Sequence, residues 1–279
     1  MTATGLTVVA LGGNAILRAD QYGTASEQRA NLQRTAAVLA NLVQRGERLL
    51  LTHGNGPQVG AILLQNEEGA RSPAGPPAMP LDVCGAESQG MLGHLIVEAL
   101  RGALAQLSLA TPVVSLLTHT LVAADDPAWT SASKPVGPYY QAETAARLAT
   151  ERGWNLREIP GGHGWRRVVP SPEPLAITEL EAIRRLAEAG VLVVAGGGGG
   201  VPVVARDGAW YGVEAVIDKD LAAARLALGL GPWGGATADP HRRTGCGTRL
   251  GYAERALAPG RGARQRAAAS SARGPIRGR

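Results

Sequence analysis

Leu6-Thr-Val-Val-Ala-Leu11 is a nearly all-apolar run that stops at Gly12-Gly13, and Arg48-Leu-Leu-Leu-Thr52 is a second that stops at His53-Gly54. Between them Leu32, Ala36, Leu39 and Val43 recur at spacings of four, three and four, which is one stripe of a helix. Thr24-Ala-Ser-Glu27 ahead of the stripe forms a capping box, and Gly46 closes the helix. The strands carry apolar residues on both alternations, so the pattern predicts a parallel sheet covered on both faces.

The same periodicities predict helices over 58–66 and 84–104, on either side of a Pro/Gly-rich loop at 70–80. A strand over 113–122, a polar excursion over 125–140, a helix near 143–152 and an irregular or extended stretch at 166–174 come next. A helix over 177–189 feeds a strand at 191–195 and then five glycines, Gly196 to Gly200. The apolar run 201–204, a turn at Asp207-Gly208 and a helix over 218–228 complete the pattern, without an internal repeat.

Beyond Gly231 the pattern stops. Of the last 49 residues 30 are Gly, Ala or Arg, and only Leu250, Leu257 and Ile276 add branched aliphatic mass. Burial cannot offset the ordering entropy of such a segment. Residues 1–230 are therefore expected to form one α/β domain, and 231–279 a disordered tail.

Charge follows the same division. The net +5 is the sum of −3 over residues 1–230 and +8 over 231–279, so the high pI belongs to the tail and a nucleic-acid partner is not expected of the body. No apolar stretch reaches the roughly 18 residues of a membrane span. The start lacks a positive n-region, so no signal peptide is expected. Cys84 and Cys246 make neither a metal-ligand spacing nor a disulfide framework, and the default is a reducing cytoplasm.

Three strand ends thus deliver glycine turns: Gly12-Gly-Asn14, His53-Gly-Asn-Gly-Pro57 and Gly196 to Gly200. Glycine lets backbone N–H groups approach an anion closely, and ligands of open parallel sheets bind along the edge of carboxyl ends. Gly200 leads into Val201-Pro-Val-Val and not into a helix, which argues against a dinucleotide fingerprint, and no Walker A pattern occurs. Of 28 basic residues only Lys134 and Lys219 are lysines. An ammonium is a compact point charge where guanidinium is a planar fork, so isolated lysines fit a site that sets one charge against one phosphoryl oxygen. Anion cradles with two such lysines point to phosphoryl transfer. Asp220 either orients a lysine, binds a magnesium-nucleotide, or is a carboxylate favoured by the helix dipole.

Other polar residues carry less. His53 is expected to stabilise its turn by a hydrogen bond, and His94 and His119 to sit in the core or an interface, because no second ligand falls at a zinc-like spacing. Cys84 is expected to be a small packed hydrophobe, and Trp129, Trp154 and Trp165 to anchor loops. Arg166-Arg167 either reaches an anion or solvates a loop.

Ala10-Leu-Gly-Gly-Asn-Ala15, Thr52-His-Gly-Asn-Gly-Pro-Gln-Val-Gly60, Met79-Pro-Leu-Asp-Val-Cys-Gly-Ala86 with Ser88-Gln-Gly-Met91, Lys134-Pro-Val-Gly-Pro-Tyr139, Gly164-Trp-Arg-Arg-Val-Val-Pro-Ser-Pro172 and Glu214-Ala-Val-Ile-Asp-Lys-Asp220 together resemble carbamate kinases of the amino-acid kinase superfamily. The match runs in order over about 6–228. The resemblance implies a three-layer α/β/α sandwich around a mostly parallel open sheet, here C-terminally incomplete, and a cytoplasmic homodimer. It implies reversible phosphoryl transfer between ATP and carbamate with Mg2+, usually run from carbamoyl phosphate and ADP toward ATP in arginine metabolism. Carried over by motif, Lys134 and Lys219 would flank the transferring group and Asp220 would organise them. Gly12, Gly13, Asn14, Gly54 and Asn55 would hold carbamate or phosphoryl oxygens, and Gly197 and Gly198 would lie near the phosphate chain. No protein ligand set for a metal is implied. Gly85 to Gln89 would lie at the substrate mouth or at a dimer contact.

After the helix carrying Lys219, the family continues with an apolar strand ending in Thr-Asp-Val and later supplies a third lysine. Nothing over 231–279 corresponds. Two explanations stand: a shifted reading frame, since dropping one nucleotide within the codons for 238–247 permits a Leu-Ile-Leu-Ile-x-x-Leu-Asp-Val run, or genuine divergence. An impaired remnant that retains at most anion binding or dimerisation is the alternative function. Loss of those elements is also expected to expose apolar surface and lower solubility.

Overall fold

The computed structural model describes residues 5–161 and 164–231, together with the backbone of 249–252. β1 (Leu6–Leu11) enters a single helical turn, α1 (Gly13–Ile16), and then α2 (Ala25–Gln44). The capping box is formed in both directions: Thr24 Oγ1 accepts from the Glu27 N–H, and the Glu27 carboxylate accepts from the Thr24 N–H at 2.8 Å. β2 (Arg48–His53), α3 (Gly56–Arg71), α4 (Leu81–Gln106), β3 (Val113–Ser115) and β4 (His119–Leu121) follow. Next are β5 (Lys134–Tyr140), α5 (Ala142–Arg152), β6 (Leu156–Ile159), β7 (Gly164–Val169), β8 (Ala176–Ile177) and α6 (Leu180–Glu188). β9 (Leu192–Val194), β10 (Val201–Arg206), β11 (Ala209–Gly212), α7 (Lys219–Leu230) and β12 (Arg249–Tyr252) complete the order.

The central sheet runs β12-β1-β2-β9-β3, parallel throughout. Alternate residues of its strands face opposite layers. Val9, Leu11, Leu49, Leu51 and Val194 pack under α2 and α4, against Leu32, Leu39, Leu92 and Ile96. Val8, Leu50 and Val193 pack on the other face, against Ile183 of α6 and Ala222 and Leu226 of α7. Both faces are thus buried, which is why the strands read as apolar throughout. The architecture is the three-layer α/β/α sandwich that the pattern and the resemblance predict.

The expected strand over 113–122 is instead two strands in two sheets. β3 belongs to the central sheet, and β4 to a second sheet of order β11-β10-β4-β8. The break has a specific cause. The Gln89 side chain takes both backbone groups of Thr118, accepting from its N–H at 3.1 Å and donating to its carbonyl at 3.0 Å. The neighbouring strand is broken at the same level by Gly196 to Gly200, so β3–β9 and β4–β10 are one parallel pair interrupted by a gap.

The expected helix over 177–189 starts later, at Leu180, because Ile177 pairs with Thr120 and Glu179 is held by His119. The polar excursion and the stretch at 166–174 contribute strands the pattern did not reveal. β5, β7 and β6 form a small antiparallel sheet with β5 at its edge, where Pro135 and Pro138 are tolerated. Val136 and Val169 of this sheet pack on Val59, Ile62 and Leu63 of α3 and on Cys84 of α4. Gly60 and Gly137 let the backbones of α3 and β5 nearly touch: a Cβ added at Gly60 would lie 3.5 Å from the Gly137 Cα. Burial pushes the Cys84 thiol up to about 11, which fits a packed hydrophobe. His94 is not in the core: within one chain its side chain is exposed beside Glu98 at 3.5 Å.

Within the segment expected to lack structure, Arg249–Tyr252 forms β12 along the outer edge of β1, with Thr7 opposite Arg249 and Ala10 opposite Tyr252. Without it, β1 would present an unpaired row of N–H and C=O groups, and pairing with them requires only backbone. The rest of the tail expectation lies outside the described residues. No helix among the described residues is long and apolar enough to cross a membrane.

Candidate active site

Three glycine turns meet at the carboxyl edge of the central sheet. The first two are joined by the Gly54 N–H donating to the Leu11 carbonyl at 3.1 Å. The third is threaded so closely that side chains are excluded. A Cβ at Gly197 would lie 2.5 Å from His53 Nε2, one at Gly198 2.2 Å from Asn55 Nδ2, and one at Gly200 2.2 Å from Thr120 Oγ1. Gly196, Gly198, Gly199 and Gly200 also have positive φ, between 64° and 94°, where L side chains are strained.

Buried polar side chains fix the turns from below. Asn55 Nδ2 donates to Ser88 Oγ at 2.7 Å, and Ser88 Oγ donates to the Gly85 carbonyl at 2.6 Å. Thr118 Oγ1 accepts from the Gly196 N–H at 2.8 Å, and Thr120 Oγ1 donates to the Gly199 carbonyl at 2.6 Å. Ser88 and Gln89 are buried and underpin the turns, whereas Glu87, which lies between Gly85 and Ser88, is exposed. His53 is buried, and burial pushes its imidazole below the usual value. Its Nδ1 lies 3.0 Å from the Gly54 carbonyl, which is the turn-stabilising part expected of it.

A cavity of about 610 Å³ opens in front of these turns. Lys134, the first residue of β5, and Lys219, the first of α7, both line it, although 85 positions separate them in the chain. Lys134 Nζ donates to Asp218 Oδ2 at 2.7 Å, and Lys219 Nζ to Asp220 Oδ1 at 2.8 Å. The stem of Lys219 runs along Gly54, where an added Cβ would be 3.4 Å from its Cδ. Arg166 joins the lining, so three cations face two carboxylates and the cavity favours an anion.

Of the residues expected at the site, Gly13, Gly54, Asn55, Gly198, Lys134, Lys219 and Asp220 line this one cavity. Gly12, Asn14 and Gly197 do not. Gly12 is buried and its carbonyl accepts the first α1 hydrogen bond, Asn14 faces solvent, and Gly197 packs on the back of His53. Asp220 was expected to organise both lysines, but it holds only Lys219. Lys134 is held by Asp218, because β5 approaches the N-cap of α7 and not its first turn.

Asp218 was missed, although its position just before a helix marks an N-cap. Its Oδ1 accepts from the Asp220 and Leu221 N–H groups while Oδ2 serves Lys134. The hydrogen bond from Lys134 is the main cause that holds this carboxyl below its ordinary value of 3.8; partial burial opposes it. A lowered carboxyl pKa contributes stability above its unfolded-state value, and that contribution is lost as pH falls through the folded-state value. Asp218→Asn keeps a capping oxygen but removes the charge. We expect it to lower the melting temperature slightly near neutrality, by the equivalent of at most about 1 kcal/mol for a part-exposed pair. The difference from wild type should shrink as the pH is lowered below about 4.

A family model for the amino acid kinase family matches residues 5–232. A carbamate kinase of Pyrococcus horikoshii is 51% identical over 220 residues, which cover 79% of this chain and 69% of the relative. The chain belongs to the amino acid kinase family, among its carbamate kinases. Carbamate kinase 2 of Enterococcus faecalis is 46% identical over 222 residues, 80% of this chain and 70% of that one. The carbamate kinase of Giardia lamblia bound to AMP-PNP superimposes with a TM-score of 0.76 at 43% identity, covering 82% of this chain and 72% of its own. The chain thus spans about seven tenths of the length of these carbamate kinases, and the seven cavity residues named above fall within the part that matches the family.

Proposed function

We propose that this chain is a carbamate kinase that transfers a phosphoryl group reversibly between ATP and carbamate, with Lys134 and Lys219 as the flanking cations. The observation that carries the assignment of roles is that the only two lysines of the chain, distant in sequence, end at one glycine-lined cavity. In the direction of ATP synthesis, a β-phosphate oxygen of ADP forms a bond to phosphorus as the bond from phosphorus to the carbamate oxygen breaks. Carbamoyl phosphate and ADP carry the same total charge as carbamate and ATP, and the leaving group departs as a carboxylate. No proton has to move, so no general base is required. The buried, neutral-leaning His53 is consistent with that.

Chemistry of this kind depends on positioning and charge neutralisation. Lys134 and Lys219 would meet the phosphoryl oxygens that carry the developing charge, each exchanging a carboxylate partner for the substrate. Asn55 and the free N–H groups at the start of α3 would face the carbamoyl end, and Gly198 the nucleotide phosphates. ATP or ADP would enter with Mg2+, which neutralises phosphate charge. Each cavity carboxylate is already paired with an ammonium, a donor set suited to a cation held chiefly by phosphate oxygens and water.

The same proposal includes residues 1–230 as the kinase body, to whose sheet Arg249–Tyr252 adds an edge strand, a homodimer, a cytoplasmic location and a place in arginine metabolism. A coupled assay for ATP formation from carbamoyl phosphate and ADP tests the function. Turnover within about a hundredfold of a full-length relative is the expected result; no turnover would mark the chain as an impaired remnant.

A further inference from the structure

Arg166 and Arg167 are equivalent in the sequence, and the strand that carries them separates their roles. Neighbours on β7 point to opposite faces. Arg167 is buried, paired with Glu214, and stacked on Trp154 at 4.6 Å from the ring centroid. Its charge is satisfied within the fold. Arg166 instead lines the cavity of Lys134 and Lys219.

Its guanidinium is held in a fixed orientation. Nε and Nη2 donate to the Gly137 carbonyl at 3.0 and 2.8 Å, and the group lies 5.2 Å from the Tyr139 ring centroid. A carbonyl and a ring face orient a guanidinium without neutralising it. Among the described residues no carboxylate lies within ion-pairing distance of Arg166, whereas both cavity lysines have one. A guanidinium has five N–H donors, so the Nη1 donors remain unused by these contacts. A half-buried, pre-oriented fork with an unneutralised charge is the arrangement that binds an oxyanion in bidentate fashion.

We propose that Arg166 is a third anion-binding group of the active site and takes an oxyanion of the small substrate, carbamoyl phosphate or carbamate, and not of the nucleotide. Its attachment to α3 points to the small substrate. Arg166 is fixed to Gly137, and Gly137 packs on Gly60 in the first turns of α3, the helix that opens from Gly54-Asn55. Because Arg166 also clasps the irregular part of β5, where the register with β7 shifts between Val136 and Tyr140, substrate binding would brace the strand that presents Lys134. The assignment of the small substrate rests on the carbamate kinase reading above.

The test uses the full chain and Arg166→Gln, which retains one N–H donor toward the Gly137 carbonyl, near the place of Nε, and removes the charge together with the Nη donors. Loss of a charge-assisted hydrogen bond weakens binding by about ten- to hundredfold. The expected result is a rise of that size in KM for carbamoyl phosphate, with KM for ADP changed less than about twofold and partial recovery on adding guanidinium ion. An equal fall in kcat with both KM values unchanged and no recovery would assign Arg166 a structural part only and overturn the proposal. Calorimetric titration with inorganic phosphate separates this from failure of the functional reading. If the wild type makes no ATP yet binds phosphate at least about tenfold more tightly than the variant, the anion site stands and the kinase reading falls. Equal phosphate affinity in the two proteins, or none in the wild type, sinks the anion site.

Discussion

Lys134→Arg is expected to lower ATP formation by about 10²–10³-fold, the loss typical of a group that stabilises charge in a transition state, while the protein stays folded. Lys134 Nζ now meets Asp218 through a single hydrogen bond of 2.7 Å, from which it can turn to a phosphoryl oxygen. Arginine presents a planar fork that matches a carboxylate at two points. It would bind Asp218 more firmly, and it would spread its charge over a wider group at the head of β5. The side chains of Lys134 and Asp218 are 38% and 35% exposed, so the pair contributes little to stability. The melting temperature should therefore move by no more than about 4 °C, and kcat carries the effect. Full activity in this variant would refute the point-charge argument for the lysines.

Gly198→Ala is expected to damage both activity and stability. The residue has φ +64°, which costs an alanine about 1–2 kcal/mol. Its Cβ would also sit 2.2 Å from Asn55 Nδ2, so the Asn55 amide must move and its bond to Ser88 would be lost. Asn55 and Gly198 line the same cavity, and one substitution therefore disturbs two of its walls. A drop of about a hundredfold in kcat/KM is expected, since an angstrom of misplacement at a reacting centre costs that much. The melting temperature should fall by several degrees. Gly102→Ala is the matching control. In α4 a Cβ there meets nothing within 4 Å, and the helix should gain about 0.5–1 kcal/mol with unchanged kinetics.

The parts of the fold that local chemistry dictates were legible beforehand. β1 and its glycine stop, the two-way capping box of α2 and the turn at Asp207-Gly208 each depend on residues a few positions apart. The family motifs brought the site residues into view, and seven of them do line one cavity. The small β5-β7-β6 sheet was not legible, because its edge strand contains two prolines and a glycine and gains its burial from α3, about 75 residues earlier. Nor was the division of 113–122, which depends on a glutamine side chain from α4 reaching Thr118.

The same distinction runs through the site. Residue type and spacing alone established an α/β domain with three anion-cradling turns and two exceptional lysines, because turn geometry and helix periodicity are set within a few bonds. Partner choice belonged to the tertiary structure: Asp218 in place of Asp220 for Lys134, and a cavity for Arg166 against a buried acid for Arg167. Electrostatic pairing acts over a few angstroms between elements far apart in the chain, and only packing brings those charges within range.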